Sequence, residues 1–342
     1  MEEWTGYTKG INLGGWFSQC KHTEDHYRSF IHDSDFERIH SWGCDHVRVP
    51  IDYELLEDNE GHSLENGFSY IQKVTELCRR NGLKIILDLH KTFGYSFDPE
   101  EKETGFFQSK KYQNRFYHLW ETIARRFGDQ SDILAFELLN EVTNQAYSET
   151  WNEVASECIS RIRSISPKVF ILVGGYGYNS VNAIKDLLLP VDERIVYNFH
   201  CYEPIIFTHQ GAYWIPSMDP GFRISIHSNY RTFKMNTDSI MPGRSMGFDC
   251  FSAEEVLGSS YFENLFSEAV SIAKERNIHL YCGEYGVIDR VDPEEILLWY
   301  KMIHPVFDKY RIGRAAWSYK KMDFGISDKR MDRVRDELVS YL

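Results

Sequence analysis

Short apolar runs recur along the chain, each followed by a longer stretch in which apolar residues return at helical spacing. The first kind reads as buried strands and the second as amphipathic helices. Eight strands are predicted: Thr8 to Gly15, Cys44 to Ile51, Leu83 to His90, Ile133 to Glu141, Lys168 to Gly175, Arg194 to Tyr202, Ile278 to Gly286 and Gly313 to Lys320. Helical spacing covers Ser63 to Asn81, Gln113 to Phe127, Glu149 to Ser164, Glu254 to Asn277 and Pro293 to Tyr310. Strand and helix alternating in this way build a parallel sheet, and eight units imply closure. The expected fold is α/β, a single (β/α)8 TIM barrel over 1–342.

The rhythm breaks once. After Tyr202 about fifty residues pass before helical periodicity resumes, a length that compact domains seldom leave structureless. Residues 203–252 are therefore expected to carry short helices of their own and to form an insertion subdomain, or lid, on the C-terminal face of the barrel. Phe207, Tyr213, Trp214, Phe222 and Tyr230 lie in it, among Pro204, Pro216 and Pro220.

Composition narrows the partners. The chain is 42% hydrophobic and 26% charged, as a soluble globular domain requires, and its net charge is −13. That field repels nucleic acid but is indifferent to a neutral sugar polymer, and the 15% aromatic content supplies flat faces that suit pyranose rings. Seven scattered cysteines without a C-x-x-C pair argue against a disulfide framework. The opening MEEWTGYTKG shows no signal peptide, and no apolar run has the length of a membrane span. A cytoplasmic monomer is the expectation, or a secreted one if a leader was removed.

In barrels of this kind the active site lies at the C-terminal ends of the strands. Those ends are polar here: Arg48, His90, Asn140 with Glu141, His200 with Tyr202, Glu284 and Trp317. Side chains alternate along a strand, so His46 and Arg48, Asp88 and His90, Asn198 with His200 and Tyr202, and Cys282 with Glu284 are each expected on one inward face, and Tyr281 toward the helices. Asn140 and Glu141 are neighbours and reach the site together only if their strand bends or ends there. Two glutamates delivered by different strands invite the two-carboxylate chemistry of glycosidases, in which their separation sets the stereochemical outcome. Arg48 and Tyr202 are placed to hold Glu284 ionised, leaving Glu141 as the proton donor.

Arg48, His90, Asn140, Glu141, His200, Tyr202, Glu284 and Trp317, in this order, resemble glycoside hydrolase family 5. The runs GINLGGW, AFELLNEV, YNFHCYEP, THQ, YCGEYGVI and WSYKKMDF are similar to its clostridial endoglucanase C type. The resemblance implies Glu141 as acid/base and Glu284 as nucleophile, with Arg48 and Tyr202 supporting the nucleophile. It further implies Asn140 at a sugar 2-hydroxyl, His90 on the same sugar, His200 near the acid, and Trp317 stacked beneath the sugar at the cleavage point. The implied activity is a retaining endo-β-glucanase cutting β-1,4 bonds in cellulose-like or mixed-linkage β-1,3-1,4-glucans, poly- or oligosaccharide, without cofactor. An exo-β-1,3-glucanase or β-mannanase on the same fold is the alternative, and a non-catalytic carbohydrate-binding protein the remote one.

Other polar residues have plainer readings. Glu137 shares parity with Glu141 but lies roughly 13 Å down the strand, where a buried structural pair is expected. His46, Asp88 and Asn198 read as satisfied interior groups, bonding Arg48 or His90. The 13 histidines form no zinc motif, so no metal is expected. Gly174-Gly175-Tyr176-Gly177 matches no phosphate-loop pattern and reads as a turn, and Lys320-Lys321 as a solvated face. Trp16, Phe17 and Trp214 are candidates either for sugar platforms or for core.

Overall fold

The computed structural model describes residues 1–342. Eight parallel strands close into a barrel in chain order: Lys9–Asn12 (β1), His46–Asp52 (β2), Lys84–Lys91 (β3), Leu134–Glu137 (β4), Phe170–Gly174 (β5), Ile195–Cys201 (β6), His279–Tyr285 (β7) and Gly313–Ala316 (β8), with β8 pairing β1. All eight fall inside or beside the predicted runs. Helices Glu65–Arg80, Lys110–Phe127, Ser148–Ile165 and Pro293–Tyr310 lie where the periodicity places them, while the one expected from Glu254 begins only at Ser259 and runs to Glu275. The last starts at Pro293 because Asp292 caps it, accepting from the Glu294 amide, and proline fits the first helical position. No helix is long and apolar enough to cross a membrane.

Two connections depart from the regular unit. After β5 there is no amphipathic helix. Gly177, Tyr178 and Asn179 all take left-handed backbone angles and lead into a 3-10 turn over Val181–Asp186. After β6, residues 203–252 hold helices Ile205–Thr208 and Tyr230–Ile240. Tyr230 stacks on Phe251 at 4.6 Å, and Phe248 on Tyr261 of the barrel helix at 5.6 Å, so one continuous core of 96 buried residues runs from the barrel into the insertion.

Inside the barrel the side chains are layered. Ile86, Ala135, Leu172, Val196, Tyr281 and Ala315 fill the N-terminal end beneath Trp4 and Tyr7. Above them lie fully buried polar groups, namely Asn12, Arg48, Asp88, Glu137 and Asn198, and above these the mouth. His46 belongs to the lower layer, where it bonds Asp45 and the Tyr281 hydroxyl and not Arg48 or His90.

Strand β7 overturns part of the parity expectation. Tyr281 points inward, Cys282 joins the outer core, and yet Glu284 points inward again. Pairing with β6 skips one residue: Phe199 faces Cys282 and His200 faces Glu284, so Gly283 is an extra, bulged residue. Its amide donates to Asn198 Oδ1 at 2.9 Å and its carbonyl accepts from Asn12 Nδ2 at 2.9 Å. A Cβ there would lie 2.7 Å from Asn198 Oδ1 and 3.0 Å from His200 Nε2. Gly283→Ala is therefore expected to destabilise the fold by about 1–3 kcal/mol and to displace Glu284. Thermal melting and kcat should fall together, and a variant with unaltered kcat would refute this account of the bulge.

Candidate active site

Arg48 organises the floor of the mouth. A guanidinium has five N–H groups, and all are engaged: Nε with Glu137 Oε2 (2.7 Å), Nη1 with Asn12 Oδ1 (2.9 Å) and Glu284 Oε1 (2.7 Å), Nη2 with Glu137 Oε1 (2.8 Å) and Asn140 Oδ1 (2.9 Å). Asp88 Oδ2 stands 3.0 Å from Nη2. Glu137 is thus held in a bidentate buried pair, as its depth suggests, and Asn198 Nδ2 supplies it with a third bond at 2.8 Å. Asp88 in turn holds His90 through Nδ1 at 2.6 Å.

Strand β4 ends at Glu137, four residues before the predicted end. Leu138 and Leu139 turn into the outer core, and Glu141 adopts φ +38°, which lets consecutive residues Asn140 and Glu141 both enter the mouth. A left-handed non-glycine residue must be held by its surroundings. Tyr95 does so, donating its hydroxyl to the Glu141 carbonyl (2.7 Å) and accepting from the Thr143 amide (2.9 Å). Sequence reasoning missed Tyr95, because nothing local marks a tyrosine on the connection after β3 as a clamp.

Glu141 and Glu284 converge. Each places a carboxylate oxygen, together with a His200 ring nitrogen, within 4.8 Å of the other two. His200 Nδ1 lies 2.8 Å from Glu141 Oε1 and 3.6 Å from Glu284 Oε2, while Tyr202 donates to Glu284 Oε2 at 2.9 Å. Asn179 Nδ2 approaches His200 Nε2 at 3.4 Å from the left-handed segment after β5, a second contact the sequence did not announce. By distance alone Glu141, His200 and Glu284 could gather round a metal. Both oxygens of Glu284 are already donated to, however, and Arg48 supplies the positive charge.

The two acids differ electrostatically. Burial pushes the Glu141 carboxyl well above the usual range, and the negative charge of Glu284 adds to it. Burial raises Glu284 as well, but the charge of Arg48 opposes that rise. The mobile proton belongs on Glu141. Burial lowers His90 to about 4 and drives His200 well down, so both imidazoles are neutral.

Above the carboxylates lies a cleft of ≈ 710 Å³, bordered by His90, Glu141, His200, Tyr202, Glu284 and Trp317, with Trp214 of the insertion on its wall. His90 and Trp317 present parallel rings, 3° apart in plane with centroids at 5.8 Å. The indole of Trp317 lies so near Gly14 that a Cβ there would meet it at 2.7 Å. Asn140 Nδ2 is buried without a partner, while its Oδ1 is fixed by Arg48, so both N–H donors of the amide are left free beside Glu141. Trp16 is not part of this site. It stacks on Phe17 at 4.1 Å, donates Nε1 to the Tyr27 carbonyl and is buried in the core, as is Phe17.

A family model described as cellulase (glycosyl hydrolase family 5) matches residues 6–323. The chain belongs to that family. Among its relatives, cellodextrinase A of Ruminococcus flavefaciens is 48% identical over 316 residues, covering 92% of this chain and 86% of the relative. Endoglucanase C of Acetivibrio thermocellus is 36% identical over 351 residues, covering 98% of each. The fold is shared with endoglucanase Cel5A of Thermotoga maritima, at a TM-score of 0.76, 24% identity and coverage of 98% and 97%. As a family 5 glycoside hydrolase, the protein has a sugar polymer or oligomer as its substrate class.

Two expectations follow for this hydrolase. Arg48→Met would abandon Glu137, Asp88 and Glu284 in the interior and cost about 3–5 kcal/mol in urea denaturation at neutral pH. The deficit shrinks toward acid pH, where protonation neutralises the stranded carboxyls. Secondly, Glu284→Gln removes the negative charge that helps raise Glu141, so Glu141 should titrate lower in the variant than in the wild type when followed by carboxyl ¹³C NMR. An unchanged or higher titration would contradict the coupling.

Proposed function

We propose that this chain is a retaining endo-β-glucanase acting on β-1,4 bonds of cellulose-like or mixed-linkage glucans, with Glu284 as nucleophile and Glu141 as acid/base. The observation that carries the reading is the approach of the Glu141 and Glu284 oxygens to within 4.8 Å. Retaining enzymes hold their carboxyl groups about 5–5.5 Å apart, whereas inverting ones need about 6.5–9.5 Å to fit a water. The uneven proton affinity of the pair gives each its role: Arg48 and Tyr202 bond the carboxylate that attacks, and the burial of Glu141 keeps its proton available for the leaving oxygen. The free amide of Asn140 suits the 2-hydroxyl of the sugar under attack, Trp317 offers its face to that sugar with His90 in contact beside it, and Trp214 serves the outer cleft. The names of the two relatives, a cellodextrinase and an endoglucanase, agree with a β-1,4-glucan substrate.

The test is product analysis on barley β-glucan, carboxymethylcellulose, laminarin and mannan in parallel. Mixed-length products from barley glucan, carrying the β-anomer at early times by NMR, are expected, and Glu284→Ala should abolish turnover while retaining oligosaccharide binding. Early α-anomer would overturn retention. Glucose released from laminarin alone would replace the endo reading with an exo one, and no product on any of the four would return a binding protein.

A further inference from the structure

His200 bonds Glu141, and the group behind His200 decides how. A neutral imidazole carries one N–H, and the bond made by one ring nitrogen fixes what the other can offer. The His200 ring is neutral, since burial and the charge of Arg48 both lower its proton affinity. Its Nδ1 faces carboxylate oxygens, 2.8 Å from Glu141 Oε1 and 3.6 Å from Glu284 Oε2. Its Nε2 faces the amide of Asn179, whose Nδ2 lies 3.4 Å away and can only donate. Acceptors at one nitrogen and a donor at the other select the tautomer with hydrogen on Nδ1.

The backbone is shaped to put Asn179 in this place. The residue is fully buried and holds φ +53°, the last of three consecutive left-handed residues, a conformation that asparagine tolerates better than most. The segment is tied on both sides. The Tyr178 amide donates to the carbonyl of Val142, next to Glu141, at 3.1 Å, and Ser180 bridges to His200 on β6. Gly174, at the end of β5, leaves room for the amide, because a Cβ there would lie 2.6 Å from Asn179 Nδ2. Asn179 Oδ1 is left without a partner, so His200 is the one polar group that this buried side chain serves.

We infer that Asn179 is a positioning residue for the acid step: it holds His200 as the Nδ1–H tautomer, so that Glu141 Oε1 is occupied as an acceptor and the carboxyl proton is carried on Oε2. The inference rests on the reading of Glu141 as acid/base. Oε2 has no bond within the protein, and Glu141 borders the cleft. As the glycosidic C–O bond breaks and Glu284 bonds to the anomeric carbon, the proton passes from Oε2 to the departing oxygen. In the opposite tautomer a bare Nδ1 would accept from a proton held on Oε1, and that proton would point at His200 instead of at the leaving group.

The direct test is ¹⁵N NMR of the His200 ring in the wild type. Hydrogen on Nδ1 and a bare Nε2 are expected, and hydrogen on Nε2 would overturn the inference. Asn179→Asp keeps the shape but turns the donor into an acceptor, and is expected to draw a proton to Nε2. Its kcat/KM should fall about tenfold or more on phenyl β-cellobioside, whose leaving group needs a proton. On 2,4-dinitrophenyl β-cellobioside, whose leaving group departs without one, the fall should be much smaller. A merely structural asparagine would lower both alike, and that result, or no fall on either substrate, would overturn the inference. Glu141→Ala tells the two failures apart. It is expected to show the same split more strongly; a split there without one in Asn179→Asp sinks the inference alone, whereas no split in Glu141→Ala removes Glu141 as the acid and the inference with it.

Discussion

Everything at the mouth of this barrel is referred to one guanidinium. Arg48 spends its five N–H groups on Glu137, Asn12, Glu284 and Asn140, and with Asp88 beside it this makes a layer shut off from solvent. Burial alone would neutralise these acids: it lifts Asp88 and Glu137 to about 7 even with the arginine in place. A lysine could not substitute, since a point charge on a flexible stem cannot bridge two carboxylates and two amides in fixed directions. The nucleophile candidate is thereby oriented by the same group that orients the amide beside the acid.

That dependence explains why the backbone is irregular where it is. Regular strands present every second residue, which is too coarse to bring Asn140 and Glu141 in together or to place both Tyr281 and Glu284 inside. The first problem is met by ending β4 early and holding Glu141 left-handed beneath Tyr95, the second by the bulge at Gly283. Both irregularities lie within two bonds of Arg48: Asn140 accepts from it directly, and the bulge carbonyl accepts from Asn12, which accepts from Arg48.

The legible and illegible parts of the sequence divide along the same line. Strand positions, four of the long helices' boundaries to within a few residues and the polar residues at the strand ends follow from periodicity and from the rule that barrel sites sit at C-terminal ends. The Pro293–Tyr310 helix was legible at both ends because its start carries an aspartate cap and a proline. Parity failed on β7 because a bulge resets it, although a glycine inside a strand pattern was a readable sign of one. The missing helix after β5 was written in Gly174-Gly175-Tyr176-Gly177, but the left-handed path that aims Asn179 at His200 and Tyr178 at the cleft depends on tertiary contacts. Trp16 could not be separated from Trp214 by type: only the packing of one on Phe17 and the position of the other on the insertion tells core from cleft.

The charge inventory then limits what the mouth can do. With Arg48 saturated, a second buried cation beside it is unfavourable, and His200 is lowered by burial first and by that arginine next. Burial likewise keeps His90 neutral, and with its Nδ1–H given to Asp88 its other nitrogen is left as an acceptor. Neither imidazole competes with Glu141 for a proton. Of the two converging carboxyls the one without a bond to Arg48 holds a proton more firmly, and the difference between the two glutamates lasts only as long as the guanidinium stays where it is.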